Sequence, residues 1–412
     1  MTPSRFLAIP RFALPYTLSD GAAGLRSIVG QTPPPAFDLL GDSPKFWTRS
    51  GRQALWLLLT ALDLKPQSGV ALPLFTDPSL VSAIVAAGHR PIFIDIEPRY
   101  LTMDPKSLLA ARGRFAAVIV VHLFGQMADL PALKFAAGGK FVIEDAAHAP
   151  LSFLNGVMAG SFGSASFYSF ASTKYWPAGG GGLAVIHDAV LAQKFARAVR
   201  VLSPPSHAQE LIYLILQSAK AAVFSRRLYG LIGKPLRRWA EQWALLEPTL
   251  DLSAIPRPYA LVACRQALRI RQRVRAQRAN SLRLLAQVGD VRNVVLPTER
   301  PGARYNYHLF PVVLQSSAER DAVRKAMWDK FVDTSTIYSD VVKQCRLFGY
   351  RGDCPVAEAV AERLITIPNH AALRSQDIDR VGQVFRSSLR ACRKTQPARR
   401  FEQKDVLDVI GA

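Results

Sequence analysis

Short apolar runs alternate with stretches of helical apolar spacing between residues 50 and 190. The helical stretches end near glycines, as many helices do. The strands predicted from the apolar runs are 69–74, 91–95, 116–122 and 141–143. The predicted helices are 53–62, 77–87, 105–111 and 130–137. Because apolar strands separated by short helices are buried on both faces, this pattern predicts an α/β fold with a mostly parallel sheet.

The pattern changes beyond residue 160. Two further predicted strands, 164–170 and 183–187, flank a loop that holds Lys174 and the glycine run 179–182. A segment of different character follows at 203–246, which is apolar at first and then rich in basic and aromatic residues. The elements predicted after it are an arginine-rich helix over 256–284, a strand over 307–314, and helices over 318–330 and 376–390.

This organisation predicts two domains in a chain of 412 residues. The larger domain covers 1–250, and it includes an N-terminal arm at 1–45 and the divergent insertion at about 203–246. The smaller, α+β domain covers 251–395. A polar tail covers 396–412.

The composition is that of a globular protein with excess positive charge. Hydrophobic residues make up 49% of the chain and charged residues 20%, which argues against disorder. The net charge of +21 suits nucleic acid, an anionic membrane or a phosphorylated substrate. We expect no nucleic-acid partner, because no binding module is recognisable. With no signal-peptide pattern, no long apolar run and no paired cysteines, the sequence predicts a cytoplasmic protein with reduced thiols and no metal site.

Three groups of polar residues lie where the predicted sheet would present them to a ligand. Asp145 follows a strand, Lys174 precedes the glycine run, and Ser50-Gly51-Arg52 opens a helix whose N–H groups are able to bind phosphate. Each has an ordinary alternative. Asp145 would then be a helix N-cap, Lys174 a solvated surface lysine, and Ser50-Gly51-Arg52 a plain helix start. Spacing leaves these alternatives open. His122 and His308 are expected to be packed, structural histidines.

Six short motifs occur in a fixed order along the chain. They are 50–55 (SGRQAL), similar to SGTxAL; 87–95 (AGHRPIFID), similar to AGxxPVFVD; 121–126 (VHLFGQ), similar to VHLYGQ; 144–149 (EDAAHA), similar to EDAAQA; 169–174 (SFASTK), matching SFxxxK; and 179–182 (GGGG), similar to GEGG. A late segment, 367–370 (IPNH), is similar to LPLH. Together and in this order the motifs resemble the DegT/DnrJ/StrS family of sugar-nucleotide aminotransferases, over nearly the whole chain apart from 203–250.

The resemblance implies a fold type I aminotransferase, with three layers around the sheet and a smaller C-terminal α+β domain. It also implies the cofactor pyridoxal 5'-phosphate, which needs a lysine amine, a carboxylate beside its pyridine nitrogen and donors for its phosphate. Lys174 would form the Schiff base and move the proton. Asp145 would pair with the pyridine nitrogen. Ser169 and the amides of Gly51 and Arg52 would hold the phosphate.

Other matching positions are less regular. His148 stands where a glutamine usually meets the ring hydroxyl, and an imidazole also donates such a bond. Tyr338 falls where the family has a substrate-side tyrosine. Asp77 replaces an aromatic residue that stacks on the cofactor, and Gly180 replaces the glutamate of GEGG. The family's Asn-x-Arg element is not recognisable, and Arg257 is a loose candidate for its substrate-binding arginine.

The implied activity is amino transfer from an amino acid, usually glutamate in the family, to a keto-sugar nucleotide, in surface polysaccharide or aminosugar biosynthesis. The family's site is built at a dimer interface, so the resemblance implies a homodimer. One alternative is a sugar dehydratase of the same fold, but those relatives carry histidine in place of the lysine, and Lys174 argues against it. Another is a cofactor-binding regulator or membrane-attached scaffold without turnover.

The insertion at 203–246 has two interpretations. Its apolar start, basic middle and interleaved aromatic residues are typical of a segment that lies on a membrane surface. The same composition fits a solvated helical insertion whose aromatic residues pack on the body of the protein. The first interpretation predicts a cytoplasmic protein with peripheral membrane contact, and the second predicts none.

Overall fold

The computed structural model describes residues 8–30, 38–225, 228–233 and 251–395. Its twelve named strands are, in chain order, β1 (Lys45–Thr48), β2 (Gly69–Pro73), β3 (Arg90–Ile94), β4 (Ala117–Val121), β5 (Phe141–Asp145), β6 (Phe153–Leu154), β7 (Val157–Met158), β8 (Ala165–Ser169), β9 (Gly182–Ile186), β10 (Ala303–Arg304), β11 (Phe310–Val313) and β12 (Leu364–Ile367). Seven of them form the main sheet in the order β1-β9-β8-β5-β4-β2-β3. The neighbours from β8 to β3 are parallel, and β9 is antiparallel to β8 and β1.

Helices cover both faces of this sheet. The helices in chain order are α1 (Leu18–Val29), α2 (Gly51–Ala61), α3 (Ser79–Ala86), α4 (Pro105–Ala110), α5 (Leu130–Ala137), α6 (Ala189–Val199), α7 (His207–Val223), α8 (Arg257–Val288), α9 (Ser317–Asp329), α10 (Val341–Arg346), α11 (Pro355–Arg363) and α12 (Ser375–Thr395). One buried core joins the sheet to α2, α3, α6 and α11. A second core joins the other face to α4, α5 and α8. Strands β2 and β4 are buried along their whole length, which explains their uninterrupted apolar sequence.

A third core belongs to the C-terminal part of the chain. Strands β11 and β12 pair antiparallel, and they pack with α9 and α12 around residues such as Phe310 and Phe385. Ile9, from the N-terminal end of the described chain, joins this core. The predicted three-layer fold with a smaller α+β part is therefore confirmed.

Three predicted boundaries differ from the structure, two of them for a local reason. Helix α3 begins at Ser79, because the Asp77 carboxylate accepts a hydrogen bond from the Ser79 N–H ahead of the helix. Strand β11 begins at Phe310, because Tyr307 has a positive φ of 53° that interrupts extended backbone. Strand β5 extends two residues further than predicted and ends at Asp145.

The N-terminal arm contains a helix that the apolar pattern does not reveal. Thr17 and Asp20 form a reciprocal capping box at the start of α1. The buried face of α1 consists largely of small residues, and a side chain at Gly24 would collide with Leu214 of α7. Small residues at a helix contact carry little hydrophobic signal, so this close packing was missed.

The insertion is described only in part. Its apolar start forms α7, and a single π-helical turn lies at Tyr229–Gly233. The segments 226–227 and 234–250, with most of the predicted basic and aromatic residues, lie outside the described residues, as do 1–7, 31–37 and the tail 396–412. Within the described ranges, no helix combines the length and apolar character needed to cross a bilayer.

Candidate active site

The carboxyl ends of β5 and β8 bring two of the predicted residues to one edge of the sheet. The two strands are parallel neighbours, with Asp145 opposite Phe167. Asp145 ends β5, and Ser169 ends β8. Loops beyond the carboxyl ends of parallel strands are the usual place for a ligand site.

The start of α2 lies against Ser169. The Ser50 side chain caps the helix by accepting a hydrogen bond from the Gln53 N–H at 3.1 Å, and the first intrahelical bond runs from Ala54 N–H to the Ser50 carbonyl. The N–H groups of Gly51 and Arg52 therefore precede the helical ladder. A Cβ placed on Gly51 would lie 3.1 Å from the Ser169 Cβ. This arrangement fits an anion held by backbone N–H groups and a hydroxyl.

The glycine run is required by close backbone packing. Gly182 pairs with both Thr48 and Ser169, and a Cβ on it would lie 2.5 Å from the Ser50 carbonyl carbon. A Cβ on Gly180 would lie 2.5 Å from a ring carbon of Tyr259. Tyr259 thus fills the space next to Gly180, which gives a physical reason for the missing glutamate of GEGG.

Lys174 and His148 are in direct contact. Lys174 Nζ lies 2.8 Å from His148 Nε2, and the Phe124 N–H donates to His148 Nδ1 at 3.2 Å. Because Nδ1 is the acceptor, the neutral ring carries its hydrogen on Nε2, and that N–H is able to donate to the lone pair of an unprotonated Lys174 amine. Phe124 has a positive φ of 59°, a rare backbone conformation for a bulky residue, and it forms part of the tight turn that follows β4.

His308 joins this pair, although it is distant in sequence. Its ring centroid lies 4.4 Å from that of His148. Burial, and then the charge of Lys174, lowers the pKa of His308 to about 3 and holds the pKa of His148 well below its ordinary value. Both rings are therefore neutral at physiological pH. His308 is buried, as expected for a structural histidine, but its position beside the catalytic candidates was missed because no local motif marks it.

Asp145 is a buried carboxyl with few donors. Burial raises its pKa to about 6, while Lys174 opposes the rise and Asp77 adds to it. The Ala147 N–H donates to Asp145 Oδ1 at 2.9 Å. No helix begins after Asp145 in this part of the described chain, so the alternative of a helix N-cap is wrong. A buried carboxylate with a raised pKa beside a lysine is typical of a functional site.

Tyr338 lies on the Asp77 side of the site. Its ring packs edge-on against Phe75, with centroids 5.8 Å apart. Burial raises the pKa of Tyr338 well above its ordinary value, and the charges of Asp77 and Asp145 raise it further. The structure therefore brings Tyr338 into electrostatic contact with the carboxylates of the site.

The contacts of Arg257 are with helices α7 and α1, and not with Lys174, His148 or Asp145. Its guanidinium forms an ion pair with Glu210 at 2.7 Å and donates to the Ile28 carbonyl at 3.0 Å. These bonds connect α8, α7 and the end of α1. They give Arg257 a bracing role between helices and offer no support for contact with a substrate.

The assembled groups fit the chemistry of pyridoxal phosphate. Lys174 offers an amine, Asp145 a carboxylate for a ring nitrogen, and His148 a neutral donor for a ring oxygen. The start of α2 with Ser169 offers a phosphate cradle. The sequence pattern placed Asp145 at a strand end and Lys174 in a loop, the resemblance added His148 and Ser169, and the structure brings these groups together at one edge of the sheet.

Comparison with known proteins gives a consistent picture. Residues 38–213 and 255–386 match the model of the DegT/DnrJ/EryC1/StrS aminotransferase family. The chain is 30% identical over 357 residues (82% of this chain, 83% of the relative) to a UDP-N-acetyl-3-dehydro-alpha-D-glucosamine 3-aminotransferase of Acidithiobacillus ferrooxidans. It is 29% identical over 353 residues (82% and 84%) to a pleiotropic regulatory protein of Geobacillus stearothermophilus.

A solved structure agrees in fold. A protein of Streptococcus pneumoniae, provisionally described as a sugar aminotransferase and present in its PLP form, superposes with a TM-score of 0.75 at 16% identity and covers 93% of this chain and 99% of its own. At this identity the likeness is one of fold. The gap in the family match, at 214–254, lies mostly within the insertion.

Proposed function

The chain belongs to the DegT/DnrJ/EryC1/StrS aminotransferase family, whose members depend on pyridoxal phosphate, and we propose that it transfers an amino group from an amino acid to a keto-sugar nucleotide. The observation that carries the proposal is the contact of Lys174 Nζ with the neutral ring of His148, next to the buried carboxyl of Asp145. This set places an amine that is able to carry the proton, a neutral hydrogen-bond donor and a counter-charge next to one another.

Each residue of the site has a distinct proposed role. When bound, pyridoxal phosphate supplies an aldehyde that condenses with amines and a ring that takes up the electron pair left when a Cα proton departs. Lys174 accepts that proton at Nζ and returns it. Asp145 holds a proton on the ring nitrogen, because a cation there would relieve the cost of its own buried charge. Gly51, Arg52 and Ser169 bind the phosphate.

The substrate class rests on chemical and family arguments. The Acidithiobacillus ferrooxidans relative acts on a UDP-linked keto-sugar, as its name states. A net charge of +21 favours substrates that carry phosphate. We therefore propose a nucleotide-linked keto-sugar as acceptor and glutamate as donor, with Tyr338 next to the substrate, for aminosugar or surface polysaccharide biosynthesis in the cytoplasm.

We also propose that the protein acts as a homodimer. Leu211, Ile212, Ile215 and Leu216 of α7 are exposed side by side on the described chain, and α1 beside them exposes Leu25. Contiguous exposed apolar residues of this kind mark an interaction surface. Light scattering should give twice the chain mass, and Ile212→Glu with Ile215→Glu should halve it, whereas the control Leu347→Glu, at another exposed leucine, should not.

The competing occupant of this surface is a membrane. Co-sedimentation with anionic vesicles that is lost on deletion of 205–245 would favour peripheral membrane contact. A dimer of unchanged mass in the Ile212→Glu, Ile215→Glu variant would show that this face of α7 does not join the two copies. A monomeric wild type would contradict the dimer outright.

The activity is tested by absorption spectroscopy. Wild-type protein given pyridoxal phosphate should absorb visible light, glutamate should bleach that band, and one equivalent of 2-oxoglutarate should appear for each site. Lys174→Ala should lack the band, and Lys140→Ala, at an exposed lysine, should keep it. A wild type without the band, after addition of the cofactor, would refute the proposal.

A second candidate function is a cofactor-binding regulator without turnover. Its support is the similarity to the Geobacillus stearothermophilus pleiotropic regulatory protein and the presence of Asp77 where the family stacks an aromatic ring. It predicts a visible band that no amino donor bleaches. Bleaching by any amino acid, with release of the matching keto acid, would exclude it.

A further inference from the structure

A cavity of about 310 Å³ lies beside the Lys174 loop, on the side that faces α8. Its lining includes Arg11, Lys174, Tyr175, Arg269, Arg273 and His308. None of the described residues that line it is acidic. The volume is at the lower end of the range for small-molecule sites, about 300–1,000 Å³. The cavity thus combines access to Lys174 with a strongly positive wall.

Two of these arginines differ in how their charge is balanced. Arg269 donates to Asp20 at 3.2 Å, and Asp20 also binds Arg265 at 2.8 Å. Arg273 donates to the Tyr175 carbonyl at 3.3 Å and to the Gln266 side-chain oxygen at 2.5 Å. Among the described residues, no carboxylate contacts Arg273. Its guanidinium is oriented by two neutral acceptors, and Asp20 acts on its charge without contacting it.

Burial makes this imbalance costly. Burial lowers the pKa of Arg273, Arg269 lowers it further, and Tyr175 and Asp20 act in the opposite direction. Removing a cation from water without an anion beside it is unfavourable. An anionic ligand in the cavity would remove that cost. The same cost favours a ligand that brings its negative charge directly to Arg273.

Tyr175 provides a second, independent observation. Its side chain lines the cavity and is 3% exposed, and its hydroxyl has no hydrogen-bond partner among the described residues. Its ring lies 5.7 Å from that of His308, which in turn packs on His148. A buried hydroxyl without a partner is destabilising, and an oxygen of a ligand in the cavity would give it one.

We propose that this cavity is an anion-binding subsite, in which Arg273 binds carboxylate or phosphate oxygens of a reactant whose reacting carbon faces Lys174. The inference deepens the function proposed above and rests on it. The same oxygen chemistry has two sources, a carboxylate of the amino donor or the diphosphate of the sugar nucleotide. Arg273 is assigned to this role because its neutral partners fix the fork of the guanidinium and leave its charge for the ligand.

The test measures binding of two probes, glutarate and UDP, to the full chain by titration calorimetry. The variants are Arg273→Gln and Arg273→Lys, and the control is Arg275→Gln, at an exposed arginine two residues along the same helix. We expect Arg273→Gln to weaken one probe by about tenfold or more, as loss of a charged hydrogen bond does. Arg273→Lys should lose less, and Arg275→Gln should match wild type.

The two arms identify the source of the oxygens. Loss of glutarate binding assigns the subsite to the donor carboxylate, and loss of UDP binding assigns it to the nucleotide diphosphate. In the same variant, the KM of the matching reactant should rise while that of the other reactant stays unchanged. Wild-type binding of both probes by Arg273→Gln, or binding of neither probe by wild type, overturns the proposal.

Two further measurements, the melting temperature and the visible band of the bound cofactor, separate this inference from the function on which it rests. The melting temperature of Arg273→Gln shows whether this variant is folded. If Arg273→Gln is unfolded, probe binding by Arg273→Lys provides the test. The visible band of the bound cofactor should persist in both variants. A missing band in wild type refutes the aminotransferase function, whereas a normal band with unchanged probe binding refutes the anion subsite only.

Discussion

Two neighbouring carboxylates at the end of β5 face opposite sides of the sheet and have opposite electrostatic environments. Glu144 is fully buried, yet it accepts hydrogen bonds from His122 at 2.9 Å and from the N–H groups of Gly160, Phe162 and Gly163. Asp145 accepts one backbone bond from Ala147 and lies near a second carboxylate, Asp77. In the described structure, one strand end thus carries a carboxylate with four hydrogen-bond donors and a carboxylate with one.

The pKa values express this difference. Burial raises the pKa of Glu144, but the His122 bond and the backbone donors outweigh burial and leave the pKa below its ordinary value. Burial raises the pKa of Asp145 to about 6. A buried carboxylate with enough hydrogen-bond donors stabilises the fold. A buried carboxylate with too few donors is typical of a functional site that binds a cationic group. The comparison therefore separates a structural acid from a functional one on the same strand.

The largest effect is expected at Glu144. Glu144→Gln puts an amide NH₂ group against N–H donors and leaves at least one of them unsatisfied in the interior. The free energy of unfolding should fall by about 3 kcal/mol, as when one partner of a buried charged network is removed. Urea denaturation measures it, with Glu362→Gln at an exposed position as control. A loss below about 1 kcal/mol would contradict the structural role of Glu144.

Loss of the Asp145 charge should raise the free energy of unfolding of the apo protein, whereas loss of the Glu144 charge should lower it. A folded-state pKa raised from 3.8 to about 6 costs the ionised apo protein about 3 kcal/mol. Because the pKa is raised, the folded state binds the proton more tightly, and this cost is present above pH 6 and disappears below pH 4. Asp145→Asn should therefore stabilise the apo protein by up to that amount at pH 8 and by little at pH 4. Bleaching of the cofactor band by glutamate should be lost, because the ring nitrogen would no longer be held in its protonated form.

The pH dependence of unfolding gives the check on Asp145. If Asp145→Asn destabilises the apo protein at pH 8 as strongly as Glu144→Gln does, then the two carboxylates are both structural, and the contrast between them is wrong.

A smaller effect is expected at Asp77. Asp77→Asn removes a negative charge that helps to raise the pKa of Asp145, so that pKa should fall from about 6 towards its ordinary value. Carbon-13 NMR of labelled aspartate carboxyls in the apo protein measures it, with Asp63→Asn at an exposed turn as control. An unchanged Asp145 titration would show that Asp77 does not act on this site.

The smallest effect is expected for a conservative change at His148. His148→Gln retains an N–H donor, so cofactor affinity should change by less than about tenfold, while His148→Leu removes the donor and should lose about tenfold or more. Fluorescence titration with pyridoxal phosphate measures both. Equal affinities in the two variants would show that the Nε2 hydrogen makes no bond to the cofactor.

Much of the site follows from the sequence, because strand ends are easy to locate in a parallel sheet. Asp145 and Ser169 follow apolar runs, so their meeting at one edge is predictable from topology. The contact of His308 with His148 is not, since it depends on how the C-terminal part docks on the sheet. The pairing of Arg257 with Glu210 and the filling of the Gly180 space by Tyr259 depend on how α8 packs after the insertion, and the family pattern lapses over most of that insertion.

The central claim is that Lys174 bonds covalently to the cofactor. Borohydride reduction of the protein loaded with pyridoxal phosphate, followed by protease digestion and mass spectrometry, tests it most directly. We expect one modified peptide, with the added mass on Lys174, and no modification at that peptide in Lys174→Ala. Modification spread over exposed lysines such as Lys140, or none at Lys174, would contradict the account.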